Sequence, residues 1–177
     1  LHVGADAFEH THPFRVAKIA RKFPELPILM VHMGGVGHAD LTDAAIEAAA
    51  YVAENLNRLA GTRDGALDRR EKLRAFCRTF CERAFRSPLT EEQNKAFVGR
   101  QFEASEDPQT CVKRVVLLAL KSPRFLFREV GDAPEPYHVA ARLSFGLWDS
   151  IPDRELHRAA AQGRLATAEQ VEEQAQR

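Results

Sequence analysis

The segment Gly61-Thr62-Arg63-Asp64-Gly65 sets the tightest limit on what this chain can fold into. Before it, short apolar runs bounded by proline and glycine alternate with helical patterns; after it, apolar residues recur only at helical spacing. Residues 1–60 are therefore expected to form a βαβα piece, 61–66 a linker, and 67–177 an all-α module with a second place to divide near 131–136. The expected fold class is mainly α, opened by a small amount of strand.

In the first part, Ile28 to His32 lies between Pro27 and the pair Gly34-Gly35 and is rich in extended-chain formers, which predicts a short buried strand. His32 closes that strand. His2 occupies the same kind of place in Leu1-His2-Val3-Gly4. Between them, Thr11 can cap a helix that tolerates Pro13 in its first turn and carries Val16, Ala17, Ile19, Ala20 and Phe23 on one face. A right-handed βαβ crossover lays its strands parallel, roughly 4.8 Å apart when they are neighbours, so both histidines are expected at the carboxyl end where ligands collect. The loop from Met33 to Asp40 follows, with Asp40 and Asp43 as an amino-terminal cap for an alanine-rich helix from about Leu41 to Leu59.

In the second part, Leu73, Phe76, Cys77, Phe80 and Ala84 mark one face of a helix from Asp68 to about Arg86, and Ser87-Pro88 ends it. Thr90 with Gln93 spells a capping box for the next helix, and Asp107-Pro108 opens a third. The third is apolar around most of its circumference and is expected at the module's centre. Ser122-Pro123 starts a further turn. A helix ending in Leu147 and Trp148, a short one stopped by Gly163 and a polar one capped by Thr167 and Gln170 complete the order.

Composition removes some partners. The 25 basic and 25 acidic residues leave no net charge to draw nucleic acid or an anionic membrane. No apolar run approaches the roughly 20 residues that span a bilayer. Three cysteines, Cys77, Cys81 and Cys111, are an odd number in a chain with a credible apolar core, which argues against a disulfide framework and favours a reducing, cytoplasmic setting. Leu1 in place of an initiator methionine leaves room for native sequence upstream.

Leu1 to Gly4, the helix Ile19 to Pro27 and Val31-His32-Met33-Gly34-Gly35 resemble pieces of a metal-dependent hydrolase of the amidohydrolase superfamily, in the branch that includes amidohydrolase-related decarboxylases. The resemblance covers residues 1 to about 57. It implies part of a (β/α)8 barrel in which His2 ends the fifth strand and His32 the sixth, both at a divalent metal, by resemblance zinc. It further implies C–N or C–C bond cleavage at a carbonyl or carboxylate substrate, through a metal-bound water or an oriented carboxylate. The family's His-x-His after the first strand and its aspartate after the eighth have no counterpart in place. His10-Thr11-His12 has the letters but follows the fifth strand, so the first-strand role is not carried onto it.

Arg83 to Thr90, Leu120 to Phe127, Arg142 to Trp148 and Ile151 to Leu156 are similar to segments of helical domains of unknown function from large planctomycete proteins, many of which carry a cytochrome-c-like segment. This resemblance spans 67–177 and brings no catalytic residue with it. The haem signature is absent here, since three residues separate Cys77 from Cys81 and no histidine follows.

The candidate site is thus His2 and His32 as metal ligands, with Asp6, His10, His12 and His38 as candidate accessory ligands or substrate contacts. The bland alternatives are strand-end and loop histidines, buried inert thiols, capping carboxylates, a packed Trp148, and a solvated face for Arg69, Arg70, Lys72, Arg74 and Arg78. Two functional expectations follow. One is part of a metal-dependent hydrolase, inactive alone because two strands close no barrel, and completed by a missing barrel half or another chain. The other is a non-catalytic helical interaction module of a large planctomycete protein, binding a protein partner, to which the first 57 residues are joined.

Overall fold

The computed structural model describes residues 36–127 and 134–176, with side chains from Thr42 onward. The chain divides into two compact units, Leu1–Ala48 and Ala49–Arg177. Among the described residues every element is a helix. The expected class, mainly α with a βαβα barrel fragment at the start, is corrected to all-α, because no strand or sheet occurs there. The two expected strands, at Leu1 to Gly4 and Ile28 to His32, lie outside the described residues.

Helix α1 spans Val36–Glu54. It starts a turn earlier than the Asp40 cap implied, so Asp40 and the backbone of His38 are helical where a loop was expected. Alanine supplies intrinsic helix stability along α1, and Gly37 withholds only about 1 kcal/mol, so an early start is affordable on propensity alone. The part of α1 in the first unit buries Ala45.

The second unit begins with the end of α1 and a single turn, α2 (Leu56–Leu59). Gly61, at φ +60°, then lets the chain reverse, with the Thr62 N–H donating to the Asn57 carbonyl at 2.9 Å. Helix α3 (Arg69–Phe85) packs chiefly against α6 (Pro108–Leu120). Between them in sequence runs a helical stretch made of α4 (Glu91–Asn94), one π-helical turn (Lys95–Gly99) and α5 (Arg100–Glu103). A further turn, α7 (Pro123–Leu126), packs on both α3 and α6. The expected starts are where their chemistry put them: Thr90 and Gln93 form a reciprocal capping box, Asp107 accepts from the Gln109 and Thr110 N–H groups, and Ser122 accepts from the Arg124 N–H.

The core of this part comprises Leu73, Cys77, Cys81 and Phe85 from α3, Val98 and Phe102, and one face of α6 with Cys111, Val112, Val115 and Val116, joined by Ala49, Val52 and Leu56. Helix α6 is central as expected, but by one face only; Leu118 is 43% exposed and Lys113 and Arg114 face solvent.

Helices α8 (Glu135–Trp148), α9 (Arg154–Ala161) and α10 (Ala168–Ala175) form a second, smaller cluster around Tyr137, Ala140, Leu156, Ala159, Ala160 and Leu165. Gly163 at φ +67° ends α9 in a Schellman turn, with Gly163 N–H on the Ala160 carbonyl and Arg164 N–H on that of Ala159. Trp148 does not pack into this core. It is 49% exposed beside an equally exposed Leu147, because α8 stops there: Asp149 turns at φ 47° and the buried Ser144 hydroxyl holds the Ser150 carbonyl at 2.5 Å.

Candidate functional site

Of the residues singled out for metal or substrate, His2, Asp6, His10, His12 and His32 lie outside the described residues, as does the side chain of His38. Among the described residues no group of three histidine, cysteine, aspartate or glutamate side chains is placed to hold a metal. No helix among them is long and apolar enough to cross a membrane.

The chemistry that the described residues do bring together centres on the carboxyl end of α3. The helix closes in a Schellman turn, Arg86 N–H to the Arg83 carbonyl and Ser87 N–H to that of Glu82, with Arg86 in the left-handed region at φ 61° where glycine is usual. Its side chain folds inward and is 4% exposed. The guanidinium donates to the carbonyls of Ala84 (3.1 Å), Phe125 (3.2 Å), Arg124 (2.6 Å) and Phe127 (2.9 Å), and its carbon stands 5.8 Å from the centre of the Phe145 ring. A planar fork with five donors suits this set of acceptors, which an ammonium could not match. Burial lowers the Arg86 pKa from its usual value, and the four carbonyls supply the partial negative charge that keeps the cation in place.

Beside it lies a group that mixes charge and aromatic surface. Tyr137 of α8 meets His157 of α9 edge to face, ring centres 5.2 Å apart. Glu82 and Arg83 of α3 act on this pair electrostatically. Glu82 is itself occupied, its Oε1 accepting from Arg78 Nε at 3.0 Å and from the Leu89 N–H at 3.5 Å. The His157 Nε2 is buried and has no hydrogen-bond partner. Burial pulls the His157 pKa down, Glu82 works against that, and Arg83 adds to it.

The three thiols are fully buried and form no disulfide, and Cys111 donates to the Ser105 carbonyl at 3.2 Å. Burial raises all three; for Cys81, with the Glu82 charge adding to it, the pKa is pushed up to about 12. Thiols held neutral in this way are poor nucleophiles and poor metal ligands, in line with the expected inert role. Two guanidiniums, Arg70 and Arg74, lie 5.6 and 5.4 Å from the Phe102 ring centre, and Arg70 also donates to the Phe102 and Ser105 carbonyls. Arg74 is exposed and Arg70 partly so, as a solvated face implies, while both guanidiniums lie against the buried Phe102 ring. An open groove along Gly61 to Lys72, lined by both Arg63 and Asp68, gathers no catalytic set.

Sequence reasoning assigned no role to Arg86 or His157. For Arg86 a signal existed, since the segments Arg83 to Thr90 and Leu120 to Phe127 are the two that its guanidinium joins. For His157 the only signal was its place next to Leu156 on an otherwise amphipathic helix.

Residues 135–177 match the model of a family described as a protein of unknown function (DUF1592). The matched stretch runs from the start of α8 and takes in Arg142 to Trp148 and Ile151 to Leu156, two of the four segments behind the resemblance to helical domains of unknown function. The matched stretch therefore coincides with the second cluster and contains both Tyr137 and His157. No curated protein and no solved structure matches the chain. The amidohydrolase resemblance of residues 1–57 gains no support from these comparisons.

Proposed function

We propose that the helical region is a non-catalytic interaction module of a larger protein, of the kind implied by the resemblance of 67–177 to planctomycete domains. The observation that carries this reading is the use made of Arg86. A buried guanidinium is the most potent polar group this core contains, and its donors are engaged by main-chain carbonyls of two helix ends. Ser122 and Ser144 are likewise turned onto backbone, one capping α7 and the other holding the turn after α8. Polar groups used this way fix a surface in shape. Leu147 and Trp148, exposed at the carboxyl end of α8, offer apolar contact area to a protein partner.

Calorimetric titration of zinc into the purified chain near neutral pH tests the reading against the hydrolase alternative, in which His2 and His32 hold a divalent metal. A flat titration is expected. A stoichiometric zinc site lost in both His2→Ala and His32→Ala would overturn it and return Asp6, His10, His12 and His38 to consideration as further ligands.

A further inference from the structure

The two apolar clusters of the second unit do not merge, and where they meet charged groups of α3 face aromatic rings. On the α3 side stand Glu82, Arg83 and Arg86; on the other, Phe145 and Tyr137 of α8 and His157 of α9. We infer that this seam is a pH-sensitive joint, closed while the His157 imidazole is neutral and loosened when it takes up a proton. The inference concerns the joint between α3 and residues 135–177 and does not rest on whether the chain binds metal or a partner.

The geometry makes the charged form hard to accommodate. An imidazolium carries a donor on both nitrogens, and the buried Nε2 faces no acceptor, so its N–H would be left unpaired in a dry place. Glu82, whose charge favours the imidazolium, already receives Arg78 and the Leu89 N–H on one carboxylate oxygen, and Arg83 one residue on repels a second cation. From α8 the facing titratable group is Tyr137, a neutral phenol whose pKa burial raises further. On α9 itself, Arg154, Glu155 and Arg158 lie on the exposed side. The neutral ring has the smaller burden, a single bare lone pair beside the Tyr137 ring.

The direction of the pH effect follows from proton linkage. The folded-state pKa of His157 is lowered relative to about 6.5 in the unfolded chain, so the unfolded or opened form binds more protons as pH falls. The contribution is complete above about pH 6.5 and is lost as pH falls below that value towards the depressed one. The α3–α6 core is insulated, because its thiols stay neutral and Arg86 stays charged across this range.

Hydrogen exchange on the full chain, corrected for intrinsic rates, measures this element by element. Between about pH 7.5 and pH 5, α8 and α9 are expected to lose protection while α3 and α6 keep theirs. His157→Phe keeps an aromatic ring against Tyr137 and cannot titrate, so it is expected to abolish the acid loss. Should that variant not fold, the wild-type imidazole titration by NMR decides: a midpoint below about 6.5, coincident with the loss of α8–α9 protection, supports the joint. A midpoint at or above that value, unchanged α8–α9 protection in acid, or a folded His157→Phe variant that loses as much, would overturn it.

Discussion

At the scale of single residues, Arg86 sets two effects against each other. Its left-handed backbone carries a penalty of roughly 1 kcal/mol that glycine would remove. Its side chain makes hydrogen bonds from a charged group to the carbonyls of Phe125, Arg124 and Phe127, each contributing about 1.5–3 kcal/mol before its desolvation is counted. The side chain wins on these magnitudes. Arg86→Ala is expected to destabilise the second unit by about 3 kcal/mol, and Arg86→Gly by about 1 kcal/mol less, because only the latter relieves the φ strain. Urea unfolding of the two variants checks both the size and the order; equal midpoints for wild type and Arg86→Ala would show the four carbonyls are better served by water. The two segments Arg83 to Thr90 and Leu120 to Phe127 were readable beforehand, but not that Arg86 joins them. An arginine just before Ser-Pro reads as an exposed helix end, and the acceptors that draw it inward lie about forty positions away in sequence.

Helix starts that carry a side-chain cap were easy to read, and the reason is range. An N-cap is decided within four residues, so Thr90, Asp107, Ser122 and Thr167 announced their helices correctly. The π-helical turn at Lys95–Gly99 had no such local signature, although it sits where Phe97 meets Phe85 edge to face at 4.9 Å. Cap and terminator can be weighed directly. Thr167→Ala, which leaves the Gln170 N–H unpaired at the start of α10, is expected to lose about 1 kcal/mol. Gly163→Ala is expected to lose a similar amount of about 1 kcal/mol for a different reason: a Cβ there meets nothing within 4 Å, so the whole effect is the φ of +67°. Thermal melts of both variants measure this, and a Gly163→Ala protein as stable as the parent would mean that α9 need not end where it does.

Across the whole molecule, the all-helical part was legible because its apolar residues keep one period from Leu73 to Leu156, and patterns of that length leave no other element open. The strand-bearing class was drawn instead from two short runs, and runs of five residues do not separate a strand from a buried helical turn. The described part of α1 replaces the expected loop and cap, alanine-rich sequence carrying the helix about a turn further back. Trp148 was misplaced for a related reason: periodicity says which face is apolar but not where the neighbouring helix stops. Two cores with a polar seam are also expected to melt separately. Calorimetry near neutral pH should resolve a smaller transition for 134–176 below that of the α3–α6 core, and a single transition with equal calorimetric and van't Hoff enthalpies would argue for one cooperative unit. Finally, the inward arginine makes the order of synthesis matter. While the ribosome is still extending the chain, Arg86 emerges some forty residues ahead of the carbonyls of Arg124 and Phe127 that receive it, so nascent α3 must wait with a bare cation at its end until the later turn arrives to seal it.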